Sequence, residues 1–347
     1  MLKTGIVLDK RYIDHRPGDF HPESPKRLET IYEMLNDADM VNKHIHVPVR
    51  EATLDELSYI HSQGYISTVA ATAGKPYGFL DGDTQTSSGS YLAALLAAGG
   101  FCNAVKMVND GDLDNAFALV RPPGHHAEKS SGRGFCLFNN VAIGAVFAQK
   151  KLSLNRILIA DWDLHHGNGT QHSFENDPSV LYFSTHQYPY YPGSGSFNEV
   201  GEKIGEGFTV NVPLSTGYGD AEYISIYNQI LRPIALEFKP DLVLVSVGFD
   251  IYMDDPLGGM NVTPEGFAGL TRILMEIAGS TCNGKLILTL EGGYNLKGLR
   301  DSVKAVLKEL RGESTIKDKD WSGMENEAIL FPVLDRVKNI HRRYWKF

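Results

Sequence analysis

Two aspartates and a histidine are spaced by two residues directly after a short apolar run. They are Asp161, Asp163 and His165, and Asp250 follows another apolar run farther along the chain. In an extended segment, residues spaced by two project to the same side. The addition of Asp250 from a nearby strand gives an oxygen-rich set of two aspartates and one histidine. Such a set suits a borderline divalent ion such as Zn²⁺ and leaves a fourth position open for water. The pattern predicts a catalytic metal site; the alternative is that the first two aspartates cap a turn or helix.

Two adjacent histidines, His125 and His126, follow a Pro-Pro-Gly turn, where packing alone gives little reason for a pair of imidazoles. An imidazole that titrates near neutrality can take a proton from an attacking water and give it to a leaving amine. Each ring needs a partner at its other nitrogen to fix its tautomer, and Asp161 and Asn168 are available. A lone histidine is more often a hydrogen-bonded core or surface residue, but this pair beside a metal set favours catalysis.

A tyrosine, Tyr294, follows the sequence Glu291-Gly292-Gly293. Paired glycines allow the backbone to turn sharply and to bring the phenol close to a ligand. If the phenol faces the metal, its hydroxyl can donate a hydrogen bond to a developing oxyanion. The alternative is a tyrosine that packs at the end of a strand.

These polar groups must be positioned by the ends of strands, because ligands of open α/β sheets bind beyond the carboxyl ends of the strands. Short apolar runs predict buried strands at 5–8, 116–120, 157–160, 180–183, 243–247 and 286–290. Helical periodicity predicts helices at 91–108, 140–150, 223–238, 264–278 and 296–310. This alternation predicts one α/β domain with a mostly parallel sheet.

The composition is that of an ordinary globular protein. The 347 residues are 42% hydrophobic and 22% charged, with a formal net charge of −9 that disfavours binding to nucleic acid or to anionic membranes. Three cysteines without a CxxC pair predict neither a disulfide framework nor a cysteine zinc site, and they fit a reducing cytoplasm. No stretch is expected to span a membrane. The basic, aromatic segment 341–346 is interpreted as a solvated helix end with its aromatic rings packed inward.

Several ordered motifs resemble the arginase/deacetylase superfamily, and within it the class II histone deacetylases and their bacterial relatives. The resemblance covers nearly the whole chain, through the segments 21–27, 121–139, 161–171, 248–256 and 291–295. It implies a single catalytic domain over residues 1–347, with the active site at the carboxyl ends of the strands. It also implies a zinc-dependent amidohydrolase that removes acetyl or other acyl groups from acyl-lysine, or from acetylpolyamines as in some relatives.

The resemblance also implies roles for individual residues. The zinc ligands would be Asp163, His165 and Asp250, the same set that the strand ends predict. His126 would act as general base and then acid, and His125 would support it through Asp161. Two further positions match the family: Asn168 stands where class II enzymes carry Asn and class I enzymes carry Asp, and Tyr294 matches the catalytic tyrosine.

A narrow tunnel for the acyl-lysine stem is a further implication. Phe135 and Tyr191 would form its walls, with Gly134 and Gly293 beside the substrate. Leu257 falls at the rim, where polyamine-selective relatives can carry an acidic residue, and Asp83 matches a rim aspartate that grips the substrate backbone.

Monovalent cations are also implied. Potassium would bind main-chain carbonyls of Asp161, Asp163 and His165 together with Ser184 and Thr185. A second cation site would fall near Phe174, Asp177, Val180 and Phe208. The catalytic site itself would accept Fe²⁺ as well as Zn²⁺.

Two other functions are weighed against this one. Related ureohydrolases use two manganese ions and need a second aspartate two residues after Asp250, where this chain has Tyr252. A catalytically silent acyl-lysine binding module would be expected to lose Tyr294, a histidine or a ligand, and all are present. The substrate and the oligomeric state, including a homo-oligomer, stay open.

Overall fold

Parallel strands build the central sheet of the computed structural model, which describes residues 2–313, 316 and 319–347. The strands of this eight-stranded sheet are β1 (Thr4–Val7), β2 (Ile45–Val47), β5 (Asn115–Ala118), β6 (Ile157–Asp161), β7 (Val180–Gln187), β8 (Thr209–Leu214), β9 (Leu242–Val247) and β10 (Leu286–Leu290). Their spatial order is β2-β1-β5-β10-β9-β6-β7-β8, and every pairing is parallel. A small antiparallel hairpin joins β3 (Gly78–Phe79) and β4 (Gln85–Thr86).

Helices cover the sheet. They are α1 (Lys26–Met34), α2 (Leu54–Leu57), α3 (Gln63–Ala70), α4 (Ser90–Asn109), α5 (Asn140–Leu152), α6 (Asn168–Phe174), α7 (Asp220–Ile226), α8 (Arg232–Phe238), α9 (Pro264–Thr281), α10 (Leu296–Leu310) and α11 (Glu327–His341). A π-helical turn at Tyr227–Leu231 joins α7 to α8. The strands β1, β5, β6, β9 and β10 are buried at every position, as expected of a parallel sheet covered on both faces. The prediction of a single α/β domain with a parallel sheet is confirmed.

All six predicted strands and four of the predicted helices are present, with boundaries shifted by a few residues, and the helix predicted at 223–238 is divided into α7 and α8 by the π-helical turn. Two sheet strands were missed. The edge strand β2 has only three residues, two of them exposed, so it lacks the buried apolar run that marks a strand. In β8, Asn211 and Pro213 interrupt the apolar pattern.

Helix α4 corrects the expectation that no segment is long and apolar enough to cross a membrane. Its 20 residues reach a mean hydropathy of 1.5 and pass that test by length and composition. The helix is instead a core helix, since 72% of its most apolar window is buried inside the protein. It packs on α5 and β5, so the sheet supplies the apolar surroundings.

The C-terminal segment packs its large aromatic ring inward, as expected. Trp345 is 8% exposed and lies edge-on to Phe208 and Phe238. Its indole Nε1 donates a hydrogen bond to the carbonyl oxygen of Gly207 (2.8 Å). The segment thereby fastens the chain end to the loop before β8.

A buried ionic cluster ties the N-terminal motif to the centre of the sheet. The Glu23 carboxylate is fully buried and accepts hydrogen bonds from the guanidinium groups of Arg27 (3.0 Å) and Arg121 (2.7 Å). Arg27 also donates to the carbonyl oxygens of Glu291 (2.5 Å) and Gly293 (2.7 Å). The cluster therefore braces the loop that carries Tyr294.

We expect Glu23→Gln to destabilise the fold by about 3–5 kcal/mol, because it leaves two buried guanidinium groups without a charged partner. Although burial alone would raise the pKa of Glu23, the neighbouring Arg121 and His15 hold it well below its usual value of 4.5. This stabilisation is fully present above about pH 4.5 and is lost as the pH falls toward the depressed pKa. Urea unfolding of wild type and variant measures both effects; the exposed Glu29→Gln is the control. An equal free energy of unfolding at pH 7 would contradict the prediction.

Candidate active site

Four neighbouring strands deliver the polar residues singled out in the sequence. The order β5-β10-β9-β6 at the centre of the sheet places side by side the loops that follow these strands. These loops carry the histidine pair, Tyr294, Asp250 and the segment that contains Asp163, in that order. Since all four strands are parallel, the loops leave from the same edge.

Asp163, His165 and Asp250 converge as the sequence predicts. One ligand atom from each lies within 4.8 Å of the others. The His165 Nδ1 atom is 3.2 Å from Asp163 Oδ1 and 3.1 Å from Asp250 Oδ2. Backbone amides orient the two carboxylates: Leu164 donates to Asp250 Oδ1 (3.0 Å), and Gly292 donates to Asp163 Oδ2 (2.8 Å).

This donor set fits a divalent cation. Asp163 and Asp250 are at most 1% exposed, and two such carboxylates held together without a cation would repel each other. Burial raises the pKa of Asp250 to about 7, and the charge of Asp163 contributes to this rise. Oxygen and imidazole donors from three residues match sites that keep one position open. A binuclear site would need a second aspartate two residues after Asp250. Tyr252 occupies that position and lies against Gly298 in α10.

The two histidines form a dyad with separate partners. The rings of His125 and His126 are 4.0 Å apart. The His125 Nδ1 atom lies 3.1 Å from Asp161 Oδ2, and the His126 Nδ1 atom lies 2.8 Å from Asn168 Oδ1. The structure thus places Asp161 at His125, as predicted, and Asn168, the other available partner, at His126. Tyr182 also donates its hydroxyl to Asp161 Oδ2 (3.1 Å), a contact that the sequence did not indicate.

Different surroundings push the pKa values of the dyad apart. Burial lowers the pKa of His125, but the charges of Asp163 and Asp161 outweigh this effect and raise it to about 10. Burial, together with the positive charges of His125 and His165, lowers the pKa of His126 well below its usual range. Of the two, His126 is therefore the neutral imidazole that can accept a proton.

Backbone hydrogen bonds to Asp255 hold Tyr294 in place. Its amide and that of Asn295 donate to the same oxygen of Asp255, at 2.6 and 3.0 Å. The Arg27 guanidinium lies over the phenol ring, 5.1 Å from its centre. Burial raises the pKa of Tyr294 well above 10, so the phenol keeps its proton and remains a hydrogen-bond donor.

A cavity of about 220 Å³ opens above these groups. Its walls include His126, His165 and Tyr294 together with most of the predicted substrate residues, namely Asp83, Gly134, Phe135, Tyr191 and Leu257. Gly293 instead turns its carbonyl oxygen toward Arg27. Tyr190, which no sequence motif indicated, also lines the cavity and stacks on His165 with 5.6 Å between the ring centres. A larger cavity of about 550 Å³ beside β2 contains none of these residues.

The segment Gly134–Phe135 forms one wall through an uncommon backbone conformation. Gly134 has φ +56° and Phe135 has φ +69°. A Cβ atom on Gly134 would come within 2.4 Å of the His126 ring, so glycine is required where this wall crosses the histidine. The Gly134 amide donates to Asp83 Oδ1 (3.1 Å) and that of Phe135 to Thr84 Oγ1 (3.1 Å). The hairpin β3–β4 thus holds the wall in place.

The residues of the implied potassium site are adjacent. Asp161 of β6 pairs in register with Ser184 of β7, and Thr185 follows it. The backbone at the second implied site forms a turn in which Asp177 donates to the carbonyl of Phe174 (2.9 Å) and Val180 to that of Asp177 (3.3 Å). The Phe208 carbonyl accepts from Tyr182. Both cation sites remain predictions.

Supporting residues were harder to find from sequence. Glu291 accepts hydrogen bonds from the amides of Gly124 and His125 and from the hydroxyl of Ser246 in β9, and so joins two of the loops to that strand. Asp255 holds Tyr294. Glu291 and Asp255 both lie within motifs that match the family. The spacing of a single carboxylate, however, does not show whether it binds a metal or holds a neighbouring loop.

Comparison with known proteins points in one direction. The histone deacetylase domain family matches residues 21–310. The chain is 40% identical to histone deacetylase HDA1 of Candida albicans over 99% of this chain and 45% of that protein, and 36% identical to a probable deacetylase of Archaeoglobus fulgidus over 99% of both. It is 41% identical to polyamine deacetylase HDAC10 of Danio rerio over 93% of this chain and 49% of that protein.

The fold gives the same result. The crystal structure of the HDA15 HD domain matches with a TM-score of 0.91 and 38% identity, over 99% of this chain and 95% of that one. The chain spans about half the length of several curated relatives that it matches. On the combined evidence of sequence, domain match and fold, the chain belongs to the histone deacetylase family.

Proposed function

We propose that the protein is a zinc-dependent amidohydrolase that removes acetyl or other acyl groups from the ε-amine of acyl-lysine. One observation carries this proposal: His165 of the three-residue donor set, the neutral His126 and the protonated phenol of Tyr294 line the same cavity of about 220 Å³. These are the groups that hydrolysis of an unactivated amide needs, namely an electrophile site, a base and an oxyanion donor.

Zn²⁺, or Fe²⁺, would be held by Asp163, His165 and Asp250, and when bound it supplies Lewis-acid activation of the amide and of the attacking water. His126 accepts the proton of that water at Nε2, because its Nδ1 is occupied by Asn168. The phenolic hydroxyl of Tyr294 donates a hydrogen bond to the carbonyl oxygen of the substrate as negative charge develops there.

Collapse of the tetrahedral adduct breaks the C–N bond. His126 returns the proton to the departing nitrogen, so that the products are a carboxylate and a free amine. His125 stays charged through Asp161 and Asp163 and stabilises the position of its neighbour. A covalent enzyme intermediate is not needed, and Cys136, though near the site, takes no part.

The walls favour a lysine stem over a polyamine. Phe135 and the tyrosines offer apolar surface to a four-carbon chain, and Leu257 provides no charge at the rim. Asp83 already accepts hydrogen bonds at Oδ1 from the Gly134 amide and the Thr84 hydroxyl. A polyamine carries further ammonium groups that need an acidic partner. Because Leu257 is uncharged and Asp83 Oδ1 already accepts two hydrogen bonds, an acetylpolyamine is our second candidate substrate.

Matched panels of acyl-lysine peptides and N-acetylpolyamines test the proposal, with kcat/KM measured on purified, zinc-loaded protein. We expect the peptides to be preferred and the hydrolysis to disappear in Asp163→Ala. A preference for polyamines would transfer the function to small-molecule metabolism. If neither panel is hydrolysed, the amidohydrolase proposal is wrong and a binding module becomes the better interpretation.

A further inference from the structure

A chain of hydrogen bonds runs from His126 to the protein surface. His126 Nδ1 lies 2.8 Å from Asn168 Oδ1. The Nδ2 group of the same amide donates to Glu128 Oε1 (2.5 Å), and His172 Nδ1 lies 2.8 Å from that oxygen. The side chain of Glu128 is 20% exposed and that of His172 is 45% exposed. The chain thus leaves the active site on the side away from the substrate cavity.

The backbone holds these groups at close range. Asn168 and His172 are four residues apart in α6 and therefore share one face of it. A Cβ atom on Gly169 would come within 2.3 Å of the Ala127 carbonyl oxygen, so glycine allows α6 to approach the loop that carries both His126 and Glu128. The Thr170 amide donates to the His125 carbonyl (3.2 Å) and fixes the same contact.

The orientation of the Asn168 amide decides the tautomer of His126. With Oδ1 toward the ring, the His126 Nδ1 must carry a hydrogen, and Nε2 then has a free lone pair. If the amide were reversed, its NH₂ group would face Nδ1, the hydrogen would move to Nε2, and Nε2 could not accept a proton. A group on the far side of the Asn168 amide that can accept but cannot donate a hydrogen bond permits only the orientation with Oδ1 toward His126.

We propose that Glu128 is a positioning residue for His126 and acts through the amide of Asn168. An ionised carboxylate accepts hydrogen bonds and donates none, so it requires the NH₂ group of Asn168 to face it. The role rests on the proposed function, because it matters for turnover only if His126 is the base.

The charges around Glu128 keep it ionised. Burial alone would raise its pKa, but the hydrogen bond from His172 and the nearby Arg133 lower it. The same hydrogen bond raises the pKa of His172. Glu175 and Glu199 also face His172 and add to this rise.

The first test uses ¹⁵N NMR of the histidines in metal-free protein, so that its readout does not depend on activity. We expect wild-type His126 to carry its hydrogen on Nδ1. In Glu128→Gln the new amide can donate as well as accept, and a substantial Nε2-H population is expected. An unchanged Nδ1-H tautomer in both Glu128→Gln and Glu128→Leu would overturn the proposal.

Kinetics supply the second test. Loss of such a supporting partner typically costs about 10- to 100-fold, and we expect this loss in kcat with little change in KM, because Glu128 does not line the substrate cavity. The matched control is Glu199→Gln: Glu199 accepts a hydrogen bond from Gln171 of the same helix (2.7 Å) but not from Asn168. An equal loss of kcat in this control would indicate a general structural effect and contradict the proposal.

A charge exchange tests whether the interaction itself matters. Asn168→Asp alone places two carboxylates in contact and should be strongly impaired. Adding Glu128→Lys gives the introduced carboxylate a donor on the far side while its other oxygen still accepts from His126. The double variant should therefore recover at least about 10-fold in kcat over either single variant. If the folded double variant did not recover kcat over the folded single variants, the result would contradict a positioning role for Glu128. Inactive wild type would overturn the proposed function and leave the NMR result to decide this inference.

Discussion

Replacement of Asp250 by Asn is expected to abolish both metal binding and hydrolysis. Asn retains an oxygen that can accept the Leu164 amide, so the loop should keep its shape. It removes the charge, however, and a cation would then face one carboxylate instead of two. We expect the metal content to fall from about one per chain to background and kcat/KM to fall more than about 1000-fold, since a bound metal contributes several kcal/mol to such transition states.

Metal analysis of dialysed protein, followed by kinetics, measures both effects. The control is Asp254→Asn, which changes an exposed aspartate of the same loop and should retain metal and activity. A variant at Asp250 that keeps one tightly bound zinc per chain would show that the ligand set is assigned incorrectly.

Tyr294→Phe should lower kcat by about 100- to 1000-fold and leave KM nearly unchanged. Removal of one oxyanion donor typically has this effect, and the lost hydrogen bond forms only as charge develops on the substrate. The ring contacts with Arg27 and Phe135 do not use the hydroxyl, so the loop should keep its position.

A second phenol in the same cavity provides the matched control for this prediction. The Tyr190 hydroxyl donates to the Leu257 carbonyl (3.0 Å), so Tyr190→Phe should alter substrate binding at the rim but preserve kcat. If both variants lost kcat equally, the hydroxyl of Tyr294 would have no special part in the reaction. A rise in KM alone would assign Tyr294 to substrate binding.

Most of the side chains that the sequence predicted for the site lie together in the structure, because they follow neighbouring parallel strands. Asp161 ends β6, and Asp163 and His165 follow it within four residues in a bend, so their proximity is local. Asp250 could be added because parallel strands end at a common edge. The sequence named Asp161 and Asn168 as available partners for the two imidazoles, and the structure places Asn168 at His126.

What the sequence could not provide was the order of the strands and the partners that this order creates. The cluster of Glu23, Arg27 and Arg121 joins the loop after β5 to the Tyr294 loop because β5 and β10 are neighbours. Glu128 reaches Asn168 because α6 lies against the loop after β5. Such contacts join residues about 40 to 270 positions apart, and no local pattern encodes them.

The position of β10 constrains when the protein can fold during its synthesis. Residues 286–290 are the last strand in the described part of the chain, yet they lie in the middle of the sheet between β5 and β9. Until they have been synthesised, β5 and β9 each lack a neighbouring strand, and Asp163 has no Gly292 amide to orient it. Assembly of the sheet must therefore wait until residues 286–290 have been synthesised, and until then the open edges of β5 and β9 are exposed to unwanted strand pairing.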